Sequence, residues 1–142
     1  MSAQPERRPS SVPDTPVAFV GSTYEEAMAL LEETRNFLAE DRQRGETPSA
    51  RLAISYEAMR VTTRLVQIVA WLLARKAVMA GQLSPAQANS KRHALSGGPL
   101  CRDAQGEENL NLPEELRSLL AASHLLYLRV LRLDELARKT AA

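Results

Sequence analysis

Between Pro48 and Gly81 the chain carries neither glycine nor proline, and apolar residues recur through it at three- and four-residue spacing. Such a run has one regular solution, a single α-helix of about 33 residues and ~50 Å. It starts after Thr47, with Pro48 at the first helical position. One apolar stripe is Ile54, Ala58, Val61, Leu65, Ile68, Leu72 and Met79; a second is Leu52, Met59, Thr62, Val66, Val69 and Leu73. Together they cover roughly 200° of the cylinder, more than a one-sided surface helix needs. The helix must therefore touch more than one neighbour, which makes it the central member of an antiparallel bundle.

The remaining arc holds Glu57, Arg60, Arg64, Gln67 and Arg75, together with Trp71, the only tryptophan. Two readings stand. An exposed tryptophan among arginines is the composition of an interface anchor, for a partner or for a second copy. Alternatively, the chain's own connection covers it. Arg60, Arg64 and Arg75 would also meet phosphates if the protein were a helical DNA-binding regulator, the alternative function. A net charge of +1 gives no whole-chain reason to expect nucleic acid.

The same stretch is no membrane span. Its uncharged run goes only from Leu65 to Ala74. About ten helical residues cover ~15 Å, against a hydrocarbon core of about 30 Å.

A first helix is expected from Ser22 or Thr23, where Ser22 with Glu25, or Thr23 with Glu26, forms a capping box and Phe19 or Val20 supplies the staple. Ala27, Met28, Leu31, Thr34 and Leu38, widened by Leu30 and Phe37, make its apolar stripe, and Gly45 its stop. A third long helix is expected from Leu112, with Pro113 first and Glu114 and Glu115 matched to the helix dipole. Its stripe is Leu116, Leu119, Leu120, Ser123, Tyr127, Val130 and Leu131, with Leu125, Leu126, Leu128, Leu133 and Leu136 spread around it. Arg138 and Lys139 sit at its favourable end. Between the second and third helices, Ser84-Pro85 opens a short helix through Ala94. Ser96, Gly97, Gly98 and Pro99 then break regularity, and Leu100 and Cys101 form an apolar pair that tucks against the bundle.

The expected fold is thus all-α: a three-helix bundle over residues 19–136, a disordered N-terminal tail over 1–18 and a short tail over 137–142. Pro5, Pro9, Pro13 and Pro16 with few apolar residues leave the first segment too little surface to bury. No signal peptide and no heptad seam long enough for an extended coiled coil is visible.

Chemistry is sparse. There is no glycine-rich phosphate loop, no HExxH and no CxxC. No metal or cofactor is expected from His93, His124 and Cys101, which lie in different segments. A Cys101/His124 nucleophilic pair is the one catalytic alternative, weighed against a cysteine acting as a small buried hydrophobe. Adjacent carboxylates such as Glu114-Glu115 do not face each other on a helix. A single cysteine fits a reducing cytoplasm.

Helix one carries Glu25, Glu26, Glu32, Glu33, Glu40 and Asp41, whereas helix two carries Arg51, Arg60, Arg64, Arg75 and Lys76 against Glu57. Acidic and basic flanks of this kind suit protein contact or self-association, and equally suit attraction between the two helices within one fold.

The segments "YEEAMALLEETRNFLA", "SYEAMRVTTRLVQIVAWLLARKAVMAGQLS" and "LPEELRSLLAASHLLYLRVLRLDE" resemble the DUF1465 family, the RcdA-type regulators of alphaproteobacteria. The resemblance spans roughly residues 20–136 and is most specific in "TTRLVQIVAWLLARKAV" and "LDE". It implies a dimeric three-helix bundle without enzymatic activity. It implies an adaptor that delivers cell-cycle regulators to the ClpXP protease, in a hierarchy with a CpdR-like response regulator and a cyclic-di-GMP-binding adaptor. The family's C-terminal tail is implicated in docking to the protease. Here that tail is short, and its end, Thr140, Ala141 and Ala142, also resembles the degradation tags that ClpX grips.

Overall fold

The computed structural model describes residues 17–40, 47–104 and 107–141. They form α1 (Val17–Glu40), α2 (Pro48–Met79), α3 (Pro85–Ala88), a 3-10 turn (Lys91–His93), α4 (Gly98–Arg102) and α5 (Glu114–Ala141). No strand occurs among the described residues. The protein is an all-α bundle of three long helices, α1, α2 and α5, as the periodicities require.

α2 begins where Thr47 and Pro48 place it. The Thr47 hydroxyl accepts the Ala50 N–H at 3.1 Å, one of the donors a helix start leaves open. It ends in a Schellman motif. The Gln82 N–H reaches the Ala77 carbonyl at 2.9 Å and the Gly81 N–H reaches Val78 at 3.1 Å. Gly81 adopts φ +74°, open to glycine at little cost. α3 carries the reciprocal capping box between Ser84 and Gln87.

α1 starts by Val17, ahead of the Ser22 or Thr23 expected, so Ser22, Thr23, Glu25 and Glu26 are helix interior and form no capping box. Burial decides the start: Val20 and Thr23 extend the inward stripe of Ala27, Thr34 and Phe37 by two more turns. Val17 and Ala18 therefore belong to the bundle and not to a tail; residues 1–16 lie outside the described residues, as does Gly45.

The core gathers Phe37 from α1, Val61, Leu65, Ile68 and Leu72 from α2, and Leu116, Leu120, Leu126 and Val130 from α5. Each such side chain contributes about 1.5–3 kcal/mol when fully buried. α1 runs antiparallel to α2, since Lys76 near the end of α2 lies over the ring of Tyr24 near the start of α1, 3.8 Å from its centroid. α5 takes its direction from the connection. That segment returns along α2, with Ser96 at Gln67 and Leu100 at Arg60. α5 then sets out beside the middle of α2: Arg64 meets Leu120, and Trp71 meets Asp134. α2 and α5 are thus side by side in the same sense, a refinement of the antiparallel arrangement. Short loops would impose alternation; a connection long enough to recross the bundle removes that requirement.

Candidate functional site

Arg60 and Arg64 stand one turn apart on α2 and converge on the C-terminal end of α4. Arg60 Nη1 donates to the Leu100 carbonyl at 2.6 Å, Arg64 Nε to Cys101 at 2.9 Å and Arg64 Nη2 to Asp103 at 2.9 Å. His124 Nε2, from α5, meets the Arg102 carbonyl at 2.7 Å. Four successive carbonyls that a helix end would leave open are thus matched by side chains of two other helices. Arg64 also donates to the Leu120 carbonyl at 3.0 Å and to Ser123 Oγ at 3.2 Å. Its guanidinium is 0% exposed, and burial pulls its pKa below the ordinary arginine value while Glu107 acts in the opposite sense.

Trp71, 1% exposed, lies on the same arc. Its Nε1 donates to Asp134 Oδ1 at 2.9 Å, and the other carboxylate oxygen accepts from Arg138 Nε at 3.1 Å. Arg75 stacks over the indole, 4.6 Å from its centroid. Gln67 Oε1 accepts from Ser96 Oγ at 2.6 Å, and Tyr127 donates to the Ser96 carbonyl at 2.9 Å.

Of the residues expected to form an exposed anchor, Arg60, Arg64 and Gln67 are turned onto the chain's own connection, and Trp71, with Arg75 stacked over it, onto Asp134 of α5. The reading as an exposed interface gives way to self-cover. The physical reason is supply of acceptors: residues 94–103 offer backbone carbonyls that the guanidinium forks can bind bidentately. The same burial removes Arg60 and Arg64 as phosphate contacts for DNA. Asp134 and Ser123 were missing from the sequence-based set, and His124 was weighed there only as a partner for Cys101. The signal for Asp134 was its place in the quoted "LDE", since a tryptophan whose N–H is buried needs an acceptor.

Cys101 is fully buried, and burial pushes its thiol pKa up, away from the thiolate a nucleophile needs. No hydrogen bond joins it to His124, whose Nδ1 lies instead 3.6 Å from Glu107 Oε1. Among the described residues no grouping of His, Cys, Asp and Glu could hold a metal ion. No helix among them is long and apolar enough to cross a membrane.

What α2 exposes is four members of its second apolar stripe, while Val69 of the same stripe packs against the core. Leu52 is 72% exposed, and Met59, Val66 and Leu73 are each about half exposed. They recur every seven residues, and Tyr56, Thr63, Ala70 and Ala77 fall four after each. This alternation of three and four is a heptad seam, about 32 Å from Leu52 to Leu73. Thr63 turns its hydroxyl back to the Met59 carbonyl at 2.8 Å and spends its polarity within the helix. The continuous apolar arc hid this seam in the sequence. Only the inward turn of the arginine arc shows which half faces out.

The family described as "Protein of unknown function (DUF1465)" matches residues 14–142. The chain belongs to the DUF1465 family. The crystal structure of RcdA from Caulobacter crescentus CB15 is similar to it, with 34% identity and a TM-score of 0.61 over 81% of this chain and 87% of that one. No curated protein matches the chain. Within the DUF1465 chain, the two stretches that resemble the family most specifically, around Trp71 and around Asp134, meet through one 2.9 Å hydrogen bond.

Proposed function

We propose that this DUF1465 protein is a non-enzymatic, cytoplasmic adaptor. It acts as a homodimer and delivers cell-cycle regulators or other protein substrates to the ClpXP protease, in a hierarchy with a CpdR-like response regulator and a cyclic-di-GMP-binding adaptor. The observation that carries this reading is the exposed heptad seam on α2. An isolated soluble bundle has no use for a row of bare Leu, Met and Val side chains, and burying them requires another protein surface. A seam with an apolar residue at every seventh position suits a second copy of itself. Family membership and the likeness to RcdA support the regulatory role. The chemistry of adaptor action asks for no nucleophile or proton relay: holding protease and cargo together raises their effective concentration.

Reconstituted degradation tests the reading. ClpXP, the response regulator and a candidate cargo are mixed with and without this protein. Faster loss of cargo in its presence is expected; an unchanged rate across candidate cargoes removes the adaptor role. Thr140 and Ala141 close α5, with side chains outside the described residues, and Ala142 lies outside the described residues altogether. Their role in this scheme is tail docking or a degradation tag. Replacing Ala141 and Ala142 by aspartate then lengthens the protein's half-life in the presence of ClpXP, and an unchanged half-life rejects the tag.

A further inference from the structure

The outer side of α5 is unlike the seam on α2. At 100° per residue, Leu125, Leu128, Arg129, Arg132, Leu136 and Lys139 share the strip opposite the buried Leu116, Ser123 and Val130. Leu125 is 64% exposed and Leu136 52%. Arg132 and Lys139 have no counter-ion within salt-bridge reach among the described residues, and Arg129 makes only an exposed 3.4 Å contact with Glu26 of α1. Between Ser118 and Lys139 the acids of α5 lie elsewhere: Asp134 faces the core, and Glu135 borders the strip.

We infer that this strip docks an acidic amphipathic helix of a client protein, through leucine contacts flanked by Arg129, Arg132 and Lys139. The inference rests on the adaptor reading and adds the chemistry of the cargo. Charge complementarity selects the occupant. Apolar side chains spaced along a basic helix face match a partner helix with leucines on one side and carboxylates beside them. A uniformly charged polyanion fits worse, because α1 places Glu26 at the border of the strip, against Arg129. A membrane surface fits worse too. The leucines are interleaved with arginines and carry no aromatic companion, so they cannot sink into the acyl region without drawing charge after them.

The full-length protein is titrated by fluorescence anisotropy with a synthetic amphipathic helix bearing leucines on one face and glutamates beside it. Three comparators are used: a peptide with lysine for every glutamate, duplex DNA, and phosphatidylglycerol vesicles. The glutamate peptide alone is expected to bind, more weakly as salt rises. The triple variant Arg129→Glu, Arg132→Glu, Lys139→Glu should raise its dissociation constant at least about tenfold. Leu125→Ser with Leu136→Ser should do the same at constant charge. Both sets alter exposed positions, and an unchanged thermal midpoint checks their fold. Equal binding of the lysine peptide, binding to vesicles or DNA without the glutamate peptide, or indifference to both variants overturns the inference. The degradation assay separates the two readings. Peptide binding without any accelerated cargo leaves the strip standing and removes the adaptor; accelerated cargo untouched by either variant does the reverse.

Discussion

The Trp71 indole N–H and the Asp134 carboxylate meet at 2.9 Å across the α2–α5 interface, both sealed from solvent. The indole supplies a large apolar body and one donor. The carboxylate spends its second oxygen on Arg138, so the charge is paired and bonded rather than stranded. Trp71→Phe keeps an aromatic ring but deletes the donor and part of the buried volume, and should destabilise the fold by at least about 1–3 kcal/mol. Asp134→Ala leaves the indole N–H buried and unpaired, and should cost at least as much. In urea unfolding the double variant should fall short of the sum of the singles, since they share one bond.

Arg64→Lys is not a conservative change. An ammonium has no planar fork with which to reach Leu120, Cys101 and Asp103 together. A loss of about 3–5 kcal/mol is expected from breaking a buried charged network. Because two of its contacts, to the Cys101 and Asp103 carbonyls, hold the connection, limited proteolysis should cut between 94 and 113 before the long helices are attacked.

Gly97 adopts φ +120°, and a Cβ placed there would overlap Cys101 Sγ. Gly97→Ala should therefore cost about 1–3 kcal/mol from backbone strain, with the steric overlap in addition. Trimming Cys101 to alanine in the same chain should recover part of the loss but not the strain, which thermal midpoints of the two variants will report.

Met59→Glu with Val66→Glu places two charges in the middle of the α2 seam. Sedimentation equilibrium is expected to show a dimer for the wild-type protein and a monomer for the variant, with the unfolding of the monomeric fold little changed. A wild-type protein that stays monomeric at high concentration rejects the seam as a dimer surface.

Burial holds the Cys101 thiol and the Tyr127 hydroxyl above their ordinary pKa values. In the unfolded chain the two ionise near their usual values, about 8.5 and about 10. The unfolded state thus sheds protons first, so stability is full below about pH 8.5 and falls as pH rises through and beyond that range. Urea midpoints measured from pH 7 to 10.5 should decline, and Cys101→Ala should delay the onset of the decline.

The existence of three long helices, the capped start of α2 at Thr47 and Pro48 and the burial of Leu65, Ile68 and Leu72 were legible in the residue order, because helical spacing and cap chemistry are local. The start of α1 was not, since the core contact of Val20 and Thr23 outweighs the polar signature of Ser22 and Glu25. Nor was the direction of α5, which a long connection leaves open.

The decisive point is the rotation of α2. Its residue order determined that it is a long helix with more apolar surface than one neighbour could cover. Only the tertiary structure decided that Arg60, Arg64 and Trp71 turn inward while Leu52, Met59, Val66 and Leu73 turn out. A guanidinium can be buried only where acceptors surround it. Those acceptors are carbonyls of a segment some forty residues away, brought alongside by folding.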